Sequence, residues 1–161
     1  MKFPFIAVAC LLATTTFASD DIKALTADEQ NSLLDGKGAG FAKAAELNGY
    51  PGPLHVIELA AELELTPAQL AGTRALHERM RDDARAKGRE LVDAERDLDR
   101  LYATRSATPD KVDGQLARIE ALRASLRGVH LNAHLEQSAL LSEHQIARYA
   151  HLRGYGQHRA H

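Results

Sequence analysis

The chain has 161 residues but one cysteine, two methionines, four phenylalanines and no tryptophan. A lone Cys10 cannot form an intrachain disulfide, so packing alone must hold the fold. Cys10, Phe3, Phe5 and Phe17 all fall near the N-terminus, which leaves Phe41 and four tyrosines as the aromatic residues of everything after it. A core there must be built from Leu, Ile, Val and Ala, a composition that suits close helix packing. An excess of one charge is also missing: 20 basic residues face 22 acidic ones, for a net −2. That balance offers no basic patch for nucleic acid and no acidic solvating tail. Catalytic signatures are absent as well. There is no His-Glu-x-x-His and no Gly-x-Ser-x-Gly, and Gly36, Gly38 and Gly40 lack the Gly-Lys-Ser/Thr ending of a phosphate-binding loop. The many carboxylates fall on solvated helix faces, so the chain reads as a non-enzyme and the three glycines as a flexible joint.

The N-terminus reads as an export signal. Lys2 supplies a positive start, Phe3 to Leu12 is apolar but for Pro4, and Thr16-Phe17-Ala18 offers small residues for cleavage after Ala18. The apolar run is too short to span a bilayer, and nothing later is long or apolar enough to do so. Residues 1–18 are therefore expected to leave, and the mature protein to work outside the cytoplasm. A rival reading makes Ala7-Val8-Ala9-Cys10 a lipoprotein signal, although it lacks the usual Leu. Residues 19–52 form a helical and flexible segment: Ile22 to Leu34 looks helical, with Thr26 and Glu29 as a capping box, and the glycine joint follows.

Two phrases with one grammar organise the rest. Leu65-Thr66-Pro67-Ala68-Gln69 and Leu141-Ser142-Glu143-His144-Gln145 both place a hydroxyl residue three positions before Gln. Such a hydroxyl caps the N3 backbone N–H, and Gln reaches back to the N-cap N–H, so each phrase marks a helix start. Between them, Leu70, Thr73, His77, Met80, Ala84, Lys87, Leu91, Ala94, Leu98 and Leu101 alternate steps of three and four. Lys87 is the odd member. Thr104 to Ala107 breaks the pattern, Thr108-Pro109-Asp110 starts a new helix, and Val112, Leu116, Ile119, Leu122, Leu126, Val129, Ala133 and Leu140 carry its stripe. A short connection makes the two helices antiparallel neighbours, each roughly 50 Å long. With a turn near Ser106, Gly88 would face Ala124 and Gly128 would face Ala84. Pro53 starts a shorter helix through Leu63, and Ser142 caps a last one stopped by Gly154. The expected fold is all-α, an elongated antiparallel hairpin with shorter flanking helices, in a domain over residues 53–154. Residues 155–161 form a flexible tail carrying His158 and His161.

Histidine is the second theme, with eight in the chain. His130 and His134 lie one turn apart on one helix face, a spacing that can share a metal. Folding the hairpins brings His55 and His77 to the height of His134, with Glu58 and Glu78 nearby. This candidate tier of His55, His77, His130 and His134 would take a borderline ion such as Zn²⁺, Ni²⁺ or Cu²⁺.

The export signal, the two Leu-(Thr/Ser)-x-x-Gln phrases and the long helices between them resemble the LTXXQ-motif family, the Spy/CpxP-like periplasmic proteins. The resemblance runs from about Leu54 to Gly154 and includes Leu65, Thr66, Gln69, Leu141, Ser142 and Gln145, with Ser142 in place of the usual Thr. The phrases Ala45-Glu46-Leu47-Asn48-Gly49-Tyr50-Pro51-Gly52-Pro53 and Tyr149-Ala150-His151-Leu152-Arg153-Gly154-Tyr155 are similar to a proteobacterial branch described as refolding chaperones or heavy-metal sensors. The resemblance implies a periplasmic, cradle-shaped homodimer that holds partly unfolded envelope proteins without ATP and needs no cofactor. It also implies an alternative, a divalent-metal sensor that modulates a membrane signalling partner.

Overall fold

A computed structural model describes residues 22–155, and every regular element among them is a helix. The expected export signal, Cys10 and the expected tail beyond Tyr155, with His158 and His161, lie outside the described residues. In chain order the helices are α1 (Ala27–Leu34), α2 (Lys43–Glu46), α3 (Pro53–Glu58), α4 (Pro67–Ala103), α5 (Pro109–Leu140) and α6 (Glu143–Leu152). No helix among the described residues is long and apolar enough to cross a membrane.

Each main helix begins where its capping chemistry directs. Thr26, Thr66 and Ser142 cap α1, α4 and α6, and each makes a reciprocal box with Glu29, Gln69 or Gln145. Thr108 caps α5, and Pro67 and Pro109 sit in first turns, where the missing N–H costs nothing. At 37 and 32 residues, α4 and α5 run ~55 and ~48 Å at about 1.5 Å per residue. They form the antiparallel hairpin. Cross-links on either side of the turn at Ser106 tie the two arms: Arg118 to Asp97 at 3.2 Å, Arg123 to Glu95 at 2.6 Å and Gln137 to Thr73 at 3.1 Å.

Two apolar clusters hold the molecule. Ala84, Leu91, Ala94, Ile119 and Leu126 fill the hairpin seam, with Leu33 and Leu98 against them. Val56, Leu63, Leu141 and Tyr149 join α3, the chain before α4, and α6 at the base. Between Glu95 and Ile119 no residue is fully buried, and beyond Leu98, half-buried against the seam, the end of the hairpin near the turn has no core. Leu116, expected on the buried stripe, is 44% exposed. Leu98→Asp is expected to cost about 2 kcal/mol, because a charge would enter the seam cluster unpaired, while Leu116→Asp should be nearly neutral. Urea midpoints of the two variants test this, and equal losses would show the stripe to be misassigned.

Several expectations change. Gly88 does approach a backbone closely, but that of α1 and not α5: a Cβ on Gly88 would stand 2.0 Å from the Leu33 carbonyl oxygen. Gly128 does not pack on Ala84, since a Cβ there would meet nothing within 4 Å. The helix begun by Pro53 ends at Glu58 instead of running to Leu63. The chain must reverse to enter α4, and Glu64 takes a left-handed conformation (φ 51°) to do so. Of the three loop glycines, Gly36 is buried at φ 67°, and a Cβ there would lie 2.9 Å from the Arg81 carbonyl oxygen, so the end of α1 is fastened along α4, while Gly38 and Gly40 are exposed.

Candidate functional site

The two phrases meet. Gln69 and Gln145 lie 76 positions apart, yet each amide donates to the other: Gln69 Nε2 to Gln145 Oε1 at 2.8 Å, and Gln145 Nε2 to Gln69 Oε1 at 3.1 Å. Gln69 Nε2 also donates to the Leu140 carbonyl at 3.0 Å, and Gln145 Nε2 to the Leu63 carbonyl at 3.1 Å. The two oxygens accept from the N-cap backbone N–H groups of Thr66 and Ser142. Every polar atom of both amides is thereby used, which is the condition for a buried polar network to stabilise. Glutamate could serve as well in the capping box but has no N–H for the crossing bonds. The solitary box at Thr26 does use Glu29, out in solvent, and its carboxyl is held below the usual range by the Thr26 backbone N–H and hydroxyl. Leu65 and Leu141 pack in the basal cluster beneath the junction.

Beside this junction, His55, His77, His130 and His134 line one cavity of about 720 Å³. The glycine loop, α2, the first turn of α3, and one turn each of α4 and α5 surround it. Hairpin folding thus gathers the four histidines as their spacing suggested. It does not aim them at a common point: among the described residues no three His, Cys, Asp or Glu side chains are grouped as a metal ion would require.

Each ring has its own surroundings. His134 donates Nδ1–H to the Tyr50 carbonyl at 2.8 Å, since a carbonyl can only accept, and its Nε2 keeps a lone pair. His130 is 3% exposed and stacks on Phe41 with centroids 5.8 Å apart. Its Nε2 has no hydrogen-bond partner, a deficit of about 1–3 kcal/mol for a buried polar atom. Burial, reinforced by His134, pushes the His130 pKa down, and burial with the nearby Arg81 lowers that of His77 against the opposing pull of Glu78. His55 is drawn off by Glu58 at 3.0 Å and Glu46 at 3.5 Å.

One set of residues escaped the sequence reading. Tyr155, placed there in the tail, donates to Glu46 at 2.7 Å and lies tilted against Tyr149, so the fold extends through it. Arg153 also reaches Glu46, at 3.2 Å, and its guanidinium lies 5.7 Å from the Tyr155 ring centroid. Burial alone would raise the Glu46 pKa, but hydrogen bonds from Tyr155 and Arg153 and the charge on His55 outweigh it and hold the carboxyl low. Tyr149, fully buried, accepts from the Gly52 N–H at 3.4 Å, and burial pushes its phenol up to about 12. The signal for this cluster was the phrase pair around Glu46 and Tyr155, whose contact no helical periodicity could disclose.

No family model, no curated protein and no solved structure matches this chain.

Proposed function

We propose that the protein is an ATP-independent holdase of the cell envelope that binds partly unfolded clients, as its LTXXQ-like phrases and export signal suggest. The observation that carries this reading is the outward face of α5. Ala117, Ala121, Ala124, Gly128, Leu131, Leu135 and Ala139 follow helical spacing along that face, and all but the half-buried Gly128 and Leu131 are exposed. Charged residues, among them Arg118, Glu120, Arg127 and Glu136, flank the strip. An apolar strip left largely exposed among the described residues, edged by both charges, suits reversible capture of apolar segments or pairing with a second copy. The holdase is expected to act as a homodimer, and its release step needs no nucleotide because a client leaves as it buries its own surface.

Light scattering of a chemically unfolded client tests the proposal. Scattering should fall as the protein approaches equimolar ratio, and Ala124→Glu with Leu135→Glu should abolish that effect while leaving helicity intact. No suppression by the folded parent protein would overturn the reading.

A second reading is a divalent-metal sensor or binding domain. His134 favours it, because its Nδ1 bond to Tyr50 orients the ring as a supporting shell orients a metal ligand and leaves Nε2 able to coordinate. His77 and His130 would have to turn toward it, since three ligands are not presented together among the described residues. Repeating the scattering assay with metal stripped and then restored separates the two readings.

A further inference from the structure

We infer that the histidine-lined cavity binds a small organic acid, a carboxylate carried on an apolar body, one per chain. Its volume, about 720 Å³, lies within the ~300–1,000 Å³ usual for small-molecule sites. Leu47, Pro53, Leu54 and Met80 give it apolar walls, and Leu47 and Leu54, at 51% and 47% exposure, stand at the mouth. Such exposure is costly for leucine on short, well-anchored segments, and an apolar ligand body would cover both.

The charges around the cavity do not balance. Asp35 is neutralised by Lys37 at 3.0 Å. Glu46 is occupied by Tyr155 and Arg153. Lys43 and Arg81 also line the cavity, and neither forms an ion pair among the described residues. The uncompensated charge is therefore positive on two sides, one from α2 and one from α4. A cavity with apolar walls and two unpaired cations selects a compact anion with an apolar body over a neutral or cationic molecule of the same shape.

The site is also built before any ligand arrives. Gly36 is wedged against the Arg81 carbonyl, which fixes the start of the glycine loop against the turn of α4 that carries His77, Met80 and Arg81. Gly52 lies so close to His134 that a Cβ there would be 3.0 Å from its ring, which sets the opposite wall. Little ordering remains to be done on binding, so modest contacts suffice for measurable affinity. Such a ligand would occupy the cavity whether or not the α5 strip holds clients.

Titration calorimetry of the whole protein with naphthoate, naphthamide and naphthylmethylammonium tests this with one apolar body and three charges. Naphthoate should bind once per chain and the cation should bind at least about tenfold more weakly. Arg81→Gln with Lys43→Gln, the first half-buried and the second exposed, should weaken naphthoate about tenfold and leave naphthamide within about twofold. Leu54→Ser at the mouth should weaken all three alike, and it decides the matter if the double variant does not fold. Absence of naphthoate binding, equal binding of the three probes, or unchanged naphthoate affinity in a folded double variant would each overturn the proposal.

Discussion

Gln145→Glu should destabilise the protein by about 2–3 kcal/mol at neutral pH, although glutamate suits a capping box as well as glutamine does. The substitution keeps the acceptor for Ser142 N–H and removes the donors to Leu63 and Gln69, which lie 3.1 Å away. It leaves the Leu63 carbonyl without that donor beneath a residue only 9% exposed. Gln69→Glu should cost a similar amount. The double variant should cost more than the sum, because two carboxylates would then face each other across the junction. Glu29→Gln is the control: its box stands alone in solvent, so the loss at neutral pH should be clearly smaller than at either Gln box. Denaturant unfolding of these four variants measures the set. Equal, small effects at all three boxes would mean that the crossing amides contribute nothing beyond capping. The Gln boxes carry no titrating group, whereas the Glu29 carboxyl has a depressed pKa in the fold. Its contribution is present above the unfolded carboxylate pKa and is lost as pH falls through the folded value.

Gly88→Ala and Gly128→Ala should move stability in opposite directions. Both glycines lie inside long helices, where alanine gains about 1 kcal/mol from propensity. At Gly128 the added methyl meets nothing within 4 Å, so that gain should appear almost whole. At Gly88 the methyl would lie 2.0 Å from the Leu33 carbonyl oxygen and 2.7 Å from its carbon. These are backbone atoms, so no rotamer change can relieve the overlap, and α1 must lift from α4. The net loss should be about 2–3 kcal/mol. Because α1 leads into the glycine loop, naphthoate binding should weaken in the same variant. Thermal and urea unfolding of the pair check the sign, and a stabilised Gly88→Ala would show that α1 does not rest where the structure puts it.

The hairpin was legible because its causes are local. Stripe, caps and the break at Thr104 to Ala107 act within a few residues, and the register follows from counting outward from Ser106. What failed was everything set by a third layer. Gly88 announced a close approach, yet periodicity offered only α5 as its partner, since nothing local says that α1 folds back. Lys87, the odd member of the α4 stripe, is half-buried and pairs with Glu90 at 3.0 Å, while Leu76, Val92 and Glu95 join the buried face. Thr66 and Ser142 were readable as caps, but the mutual bonding of Gln69 and Gln145 depends on the starts of α4 and α6 meeting at one end. The four histidines could be placed at one height from helix counting. Their ring directions could not, because Tyr50, Phe41 and Glu46 claim three of them from segments whose positions counting does not give.

The amide junction closes the hairpin at one end only, and no residue between Glu95 and Ile119 is fully buried. A body gripped at its base and coreless at its tip opens in a fixed order. Amide hydrogens near Arg105 should exchange with solvent through small excursions, while those near Leu76 wait for the whole chain to come apart. The two arms can therefore part at the tip, over roughly the last 10–15 Å of their length at about 1.5 Å per residue, without any of the crossing amide bonds letting go. Softness near the turn and rigidity at the base are thus properties of one continuous pair of helices, adjustable separately by substitutions at the two ends.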